Sequence, residues 1–183
     1  MITNGVEMEQ QGIRQVAALM CVAARTAPKG RGIDNLVTLV VMGDDLQKLS
    51  AEMRHIFETG GDDPLLKIFL RDAGNVDASQ AVVLLGQKSV PFNLSMCGYC
   101  GFKDCKEALK AGATCAISAS DLGTATASAV AVAAQHHVDN RIMFSIGRAA
   151  LNLGLFGDAK VVMAYGIPLS VSGKSPYFDR QRQ

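Results

Sequence analysis

Four of the five cysteines in this 183-residue chain, Cys97, Cys100, Cys105 and Cys115, fall within nineteen residues, so any fold must curl that stretch until the thiols can meet. The local run Met96-Cys97-Gly98-Tyr99-Cys100-Gly101-Phe102-Lys103-Asp104-Cys105 sets two ligands in a glycine-punctuated loop and a third at the start of a helix. Glycine at 98 and 101 permits φ > 0 and brings backbone N–H groups toward sulfur. A helix opening at Cys105 adds its positive end, and Lys103, Lys106 and Lys110 offset negative charge. A C-x2-C-x4-C-x9-C spacing reads as a metal centre, and four ligands spread over a loop and a helix suit a [4Fe–4S] cubane. Structural zinc is the rival, because Cys97-x2-Cys100-Gly101 resembles a zinc knuckle; zinc ribbons, however, close with a second C-x2-C pair, and nine residues separate the last two cysteines here. Disulfides need an oxidising compartment, and the opening Met-Ile-Thr-Asn-Gly-Val-Glu has neither the basic nor the apolar region of a secretion signal. Cys21, in an Ala-rich stretch, reads as a small buried hydrophobe.

The length fits a single domain over 1–183, with 94–116 as a cysteine-rich iron–sulfur segment inside it; a core of this size does not need metal to fold. Hydrophobic residues make up 49% and charged residues only 19%, which leaves little polar surface and points to an oligomer. A net charge of +1 offers no general attraction to nucleic acid or anionic membrane. No segment approaches bilayer-spanning apolar length on this reading, and a cytoplasmic location is expected.

Helical spacing runs from about Glu9 to Ala27 and stops at Pro28-Lys29-Gly30. Leu36–Met42, Ala81–Gly86 and Val161–Tyr165 read as buried strands. Asp44 or Asp45 is expected to cap a helix bearing Leu46, Leu49, Met53 and Ile56, and Asp63-Pro64 to start another with Leu65, Ile68 and Phe69 inward. Asp104–Lys110 is a short helix, Ser120-Asp121 caps an Ala-rich one to about His136, and Asn140–Asn152 forms a further one, with Asp139-Asn140-Arg141 as its cap. The expected class is α+β, with helices packed on a small central sheet and the iron–sulfur loop inserted.

The whole chain resembles a prokaryotic family of unknown function described as ferredoxin-domain-containing proteins, through Ala23–Gly30, Asp34-Asn35, Arg71-Asp72-Ala73, the cysteines, Asp121-Leu122-Gly123, Val138–Arg141, Gly166–Ser170 and Lys174–Arg180. The cysteine segment is similar to the four-cysteine iron–sulfur domains of corrinoid-protein subunits and membrane electron-transport complexes, which share C-x2-C-G-x3-C and usually place their fourth cysteine further on. A second resemblance is to the nitroreductase-like flavoprotein fold. There a helix ending Ala-Ala-Arg-x-Ala-Pro precedes a strand, as Ala23–Pro28 precedes Leu36–Met42, and a closing strand runs through Gly-x-Pro into a basic tail, as Gly166-Ile167-Pro168 leads to Lys174 and Arg180. That resemblance implies FMN between the subunits of a homodimer, an oxidoreductase activity on a small substrate, and Arg25, Lys29, Lys174 and Arg180 as cofactor-binding cations. The family's Asn-x-Gln-Pro flavin loop is replaced here by Gly32-Ile33-Asp34-Asn35, and its N-terminal phosphate anchor has no counterpart.

The remaining candidates carry less. Arg25, Lys29 and Arg31 suit either a phosphate or an ordinary cationic helix C-terminus. Gly30-x-Gly32 follows a helix and precedes a strand, the reverse of a dinucleotide fingerprint. His136-His137 are adjacent, hence about 100° apart on a helix, and no glycine-flanked serine forms a nucleophile elbow. Tyr99 and Phe102 are expected to keep water off the cluster. Against the redox reading stands a structural zinc module for interaction or assembly, without turnover; the electron donor and acceptor are unknown.

Overall fold

Period-two alternation along strand Ala81–Lys88 divides the protein into two core layers. Ala81, Val83 and Leu85 join one buried cluster, while Val82 and Leu84 join the other. The computed structural model describes residues 1–88 and 90–178. Along it run α1 (Gly5–Thr26), β1 (Leu36–Met42), α2 (Asp44–Thr59), α3 (Lys67–Asp77), β2 (Ala81–Lys88), α4 (Cys105–Lys110), α5 (Ala116–Gln135), β3 (Asp139–Asn140), α6 (Phe144–Asn152) and β4 (Val161–Ser170), with 3-10 turns at Gly30–Gly32, Pro64–Leu66 and Gly157–Ala159. The strands form one antiparallel sheet in the order β1-β2-β4-β3. Leu36 pairs with Gln87, Ala81 with Leu169, and Asp139 with Ser170.

Helices α1 and α5 cover one face. Leu122, Ala125, Ala129 and Ala133 recur at helical spacing on α5 and meet Ile13, Val16, Ala17, Met20 and Ala24 of α1. Small side chains on α5 let the two helices approach closely. Helices α2, α3 and α6 cover the other face through Leu49, Met53, Phe69, Val76, Ile146 and Ala150. The tightest crossing is α6 on β4: a Cβ on Gly147 would stand 1.9 Å from the Ala164 carbonyl oxygen, so only glycine fits.

Several expectations change. Helix α5 begins at Ala116, one turn before Ser120-Asp121, because the Cys115 carbonyl already accepts from the Ala119 N–H at 2.9 Å. Asp139-Asn140 pair with β4 rather than capping a helix, and α6 starts only at Phe144. Gly43 occupies the cap of α2, leaving Asp44 and Asp45 in the first turn, where the helix dipole still favours them. Asp63 caps as expected, accepting from the Leu65 N–H at 2.9 Å, but it opens a 3-10 turn that leaves Leu65 79% exposed. Strand β4 continues through Pro168 to Ser170. By length and composition α5 could cross a membrane, contrary to the sequence expectation; in this fold its apolar row is packed on α1 and the sheet.

Candidate metal centre

The cysteine segment leaves the sheet at the end of β2 and returns to the core with α5. Tight turning is built from left-handed residues: Asn93, Met96, Gly98 and Gly101 all have positive φ, and the Gly101 N–H closes a turn on the Gly98 carbonyl at 2.9 Å. The Asp104 carboxylate then caps α4 by accepting from the Glu107 N–H at 2.9 Å, which sets Cys105 in the first turn. Cys115 stands at the N-cap of the 20-residue α5.

This path brings the four thiols together. Cys97, Cys100, Cys105 and Cys115 line one cavity of about 120 Å³, together with Phe102 and Ala116 among others. All four are half-buried and unbridged. Thiolates on one zinc sit about 2.3 Å from it and hence about 4 Å from one another. Among the described residues no three Cys, His, Asp or Glu side chains form a ready-made single-ion site. The four cysteines share one cavity, and thiolates so placed can hold a metal centre. Phe102 is half-buried at the cavity wall, whereas Tyr99 is 76% exposed, so the expected water shield rests on Phe102 and not on both rings. Lys103, Lys106 and Lys110 are exposed around the same segment. Cys21 lies apart; burial pushes its thiol pKa up against a Thr38 hydrogen bond and the Arg25 charge.

Of the cations expected to hold FMN, Arg25 and Lys29 have partners within the chain. Arg25 donates to Asp34 Oδ2 at 2.5 Å and to the Leu36 carbonyl at 2.7 Å. The Lys29 side chain is only 6% exposed, and its Nζ donates to the carbonyls of Ala24, Arg25 and Ala27 at 2.6–3.2 Å. It caps the C-terminus of α1, as the helix-end reading anticipated. Burial works to raise the Asp34 carboxyl, but the Arg25 and Leu36 hydrogen bonds and the Arg25 and Lys29 charges outweigh it and hold its pKa below the ordinary value. Lys174 is exposed on the segment after β4, and Arg180 lies outside the described residues. The wider surface grooves are lined elsewhere, around Leu65, Arg71 and Phe144, around Arg14 and Gln80, and around Arg54 and Asp77. Arg25 and Lys29 are thus engaged within the chain and are not free for a phosphate.

Two contacts went unread in the sequence. The Gly30 N–H donates to both oxygens of Asp121 at 3.0 Å, and Arg31 donates to the Phe92 carbonyl at 2.7 Å. A lone carboxylate in the Ala-rich α5, on the row of Leu122 and Ala125, was the available signal.

Residues 111–180 match the family described as an uncharacterized protein containing a ferredoxin domain. A protein of Archaeoglobus fulgidus, described only as uncharacterized, is 43% identical over 188 aligned positions that span 98% of each chain. The chain belongs to this ferredoxin-domain family. Of the four clustered cysteines of this ferredoxin-domain protein, Cys115 lies in the matched stretch and the other three just precede it. Among solved structures it is similar to an FMN-bound nitroreductase from Desulfitobacterium hafniense, with a TM-score of 0.62, 13% identity, and 87% of this chain and 78% of that one covered. An FMN-bound nitroreductase from Bacteroides fragilis gives 0.60 and 12%, covering 99% and 94%. A BluB-like flavoprotein from Clostridium difficile gives 0.56 and 17%, covering 92% and 83%. At such identities the likeness is one of fold: the ferredoxin-domain protein has a nitroreductase-like scaffold with a cysteine-lined cavity in the loop between β2 and α5. Family and fold together point to a redox role and to an iron–sulfur centre.

Proposed function

We propose that this protein is a redox protein that binds one [4Fe–4S] cluster through Cys97, Cys100, Cys105 and Cys115. One observation carries the reading: four half-buried thiols of a ferredoxin-domain chain line a single cavity of about 120 Å³. When bound, such a cluster supplies one-electron transfer. The chain's part is to hold and tune it. Cys97 and Cys100 arrive on left-handed turns, Cys105 and Cys115 arrive at helix starts, and Phe102 limits water at the wall. Half-buried ligands keep the site within reach of an electron donor or acceptor.

A homodimer belongs to the same reading. Met8, Leu19 and Val22 lie exposed along one face of α1, an apolar row a second copy would cover. FMN is not part of the proposed mechanism, because Arg25 and Lys29 are engaged by Asp34 and by backbone carbonyls.

Anaerobic reconstitution with iron and sulfide tests the reading. The loaded protein should be brown, with about four iron and four acid-labile sulfide per chain, the content of a cubane held by four cysteines. Cys100→Ser should lower both. One zinc per chain without sulfide would establish the structural module instead.

A further inference from the structure

We propose that residues 30–32 are a clamp that holds the two arms of the cysteine cavity in register, with Arg31 and Asp121 as its positioning residues. The proposal rests on the cluster reading above. Cys97, Cys100 and Cys105 belong to an arm that leaves the core at Phe92; Cys115 belongs to the other arm, the start of α5. The 3-10 turn Gly30–Gly32 touches both. Its Gly30 N–H is shared between the two carboxylate oxygens of Asp121 on α5, each at 3.0 Å. Asp121 is 8% exposed, so this carboxylate takes its partner from a loop 91 residues away in sequence while largely removed from water. One residue later, Arg31 reaches the other arm and donates to the carbonyl of the buried Phe92 at 2.7 Å.

The turn is also seated by shape. A Cβ on Gly30 would stand 3.0 Å from Ile117 of α5 and 3.4 Å from the Phe92 ring, so the same backbone atom is wedged between the two arms. Arg31 itself is left-handed, at φ 53°. That conformation is unfavourable for a residue with a side chain, and the contacts on either side hold it there. The result is a bridge, through a third segment, between the two ligand-bearing pieces.

A clamp of this kind obeys reciprocity. If the closed bridge makes the arms hold the cluster more tightly by some factor, cluster loading stabilises the closed bridge by the same factor. Arg31→Gly separates the clamp from backbone strain, since glycine accepts the left-handed conformation but offers no guanidinium. Arg31→Lys retains one donor on a long stem. In reconstituted protein, transfer of iron to a ferrous chelator should be about tenfold faster in Arg31→Gly than in wild type, and within about threefold of wild type in Arg31→Lys; tenfold corresponds to about 1.4 kcal/mol. Amide exchange at Gly30 should slow on cluster loading in wild type, and this slowing should be lost in Arg31→Gly. Equal iron-release rates in a wild type and an Arg31→Gly protein that both carry a full cluster would overturn the clamp and leave the cluster reading intact. A wild type that takes up neither iron nor sulfide would overturn both.

Discussion

Asp121→Ala removes the acceptor of the Gly30 N–H, and its effect can be worked from the geometry. The amide is partly buried and its 3.0 Å bonds to both carboxylate oxygens share one hydrogen, so they count as a single bond to a charged acceptor. Such bonds contribute about 1.5–3 kcal/mol, and an amide left without a partner loses most of that. Relief of the carboxylate's desolvation acts the other way. Because Asp121 is nearly out of water, that relief trims the loss, and a net destabilisation of about 2 kcal/mol is expected. Asp121→Asn keeps a carbonyl oxygen in the same place and should cost about half as much. Urea unfolding of metal-free protein, followed by circular dichroism, measures both without any contribution from a bound cluster. With a slope of about 2 kcal/mol per molar, the Ala variant should unfold about 1 M earlier than wild type. Two results would refute the reasoning: an Ala midpoint indistinguishable from wild type, or an Asn variant as damaged as the Ala variant.

Other perturbations follow from the same geometry. Cys115→Ser should reduce iron and sulfide uptake, whereas Cys21→Ser, outside the cavity, should leave both unchanged in the same colorimetric assays. The Asp34 carboxyl is held below its ordinary pKa, so its contribution is complete above the unfolded value near 4 and is lost as pH falls through the lower folded value. The stability difference between wild type and Asp34→Asn should therefore be flat at neutral pH and shrink as pH falls below the ordinary carboxyl value. Both partners are more than a third exposed, so that difference should stay under about 1 kcal/mol and shrink with added salt in urea titrations. Gly147→Ala forces a methyl onto the Ala164 carbonyl and should lower the melting temperature by about 10 °C, the equivalent of about 3 kcal/mol. Gly123→Ala, on an exposed and open face of α5, should raise it by a few degrees through helix propensity.

Much of the scaffold was legible because its layers are written in short-range patterns. Continuous apolar runs at Leu36–Met42 and Ala81–Gly86 became the edge strand β1 and the inner strand β2, and the spacing of Ile13, Val16 and Met20 marked the buried face of α1. The convergence of the thiols was anticipated from the density of cysteines and from the two glycines. Long-range pairings were not legible. Asp139-Asn140 become a strand only because Ser170 and Leu169 lie beside them, which no local signal encodes. Arg25 and Lys29 read equally well as a phosphate site or a helix end, and the deciding partner, Asp34, sits on the next loop. Leu65 fits a helical apolar row, yet the 3-10 turn after Asp63 rotates it outward.

The cysteine segment and the scaffold are nearly independent in their packing. Among the described residues, neither of the two large core clusters draws a buried residue from the stretch between Leu85 and Leu122. The segment is tied to the fold by the buried Phe92 ring and by polar contacts: Gln87 donates to Ser118 Oγ at 2.8 Å, Arg31 to the Phe92 carbonyl, and Gly30 to Asp121. Likeness to FMN-bound nitroreductases therefore carries information about the layers and not about the cysteine segment. The separation has a measurable consequence. Stripping iron with a chelator should leave the helical circular dichroism and the cooperative unfolding of the sheet in place, while protease cleavage between Met96 and Ala113 accelerates. If metal removal instead collapsed the whole far-ultraviolet signal, as it does in domains whose folding free energy comes from the metal, the two cores would not be holding the protein together by themselves.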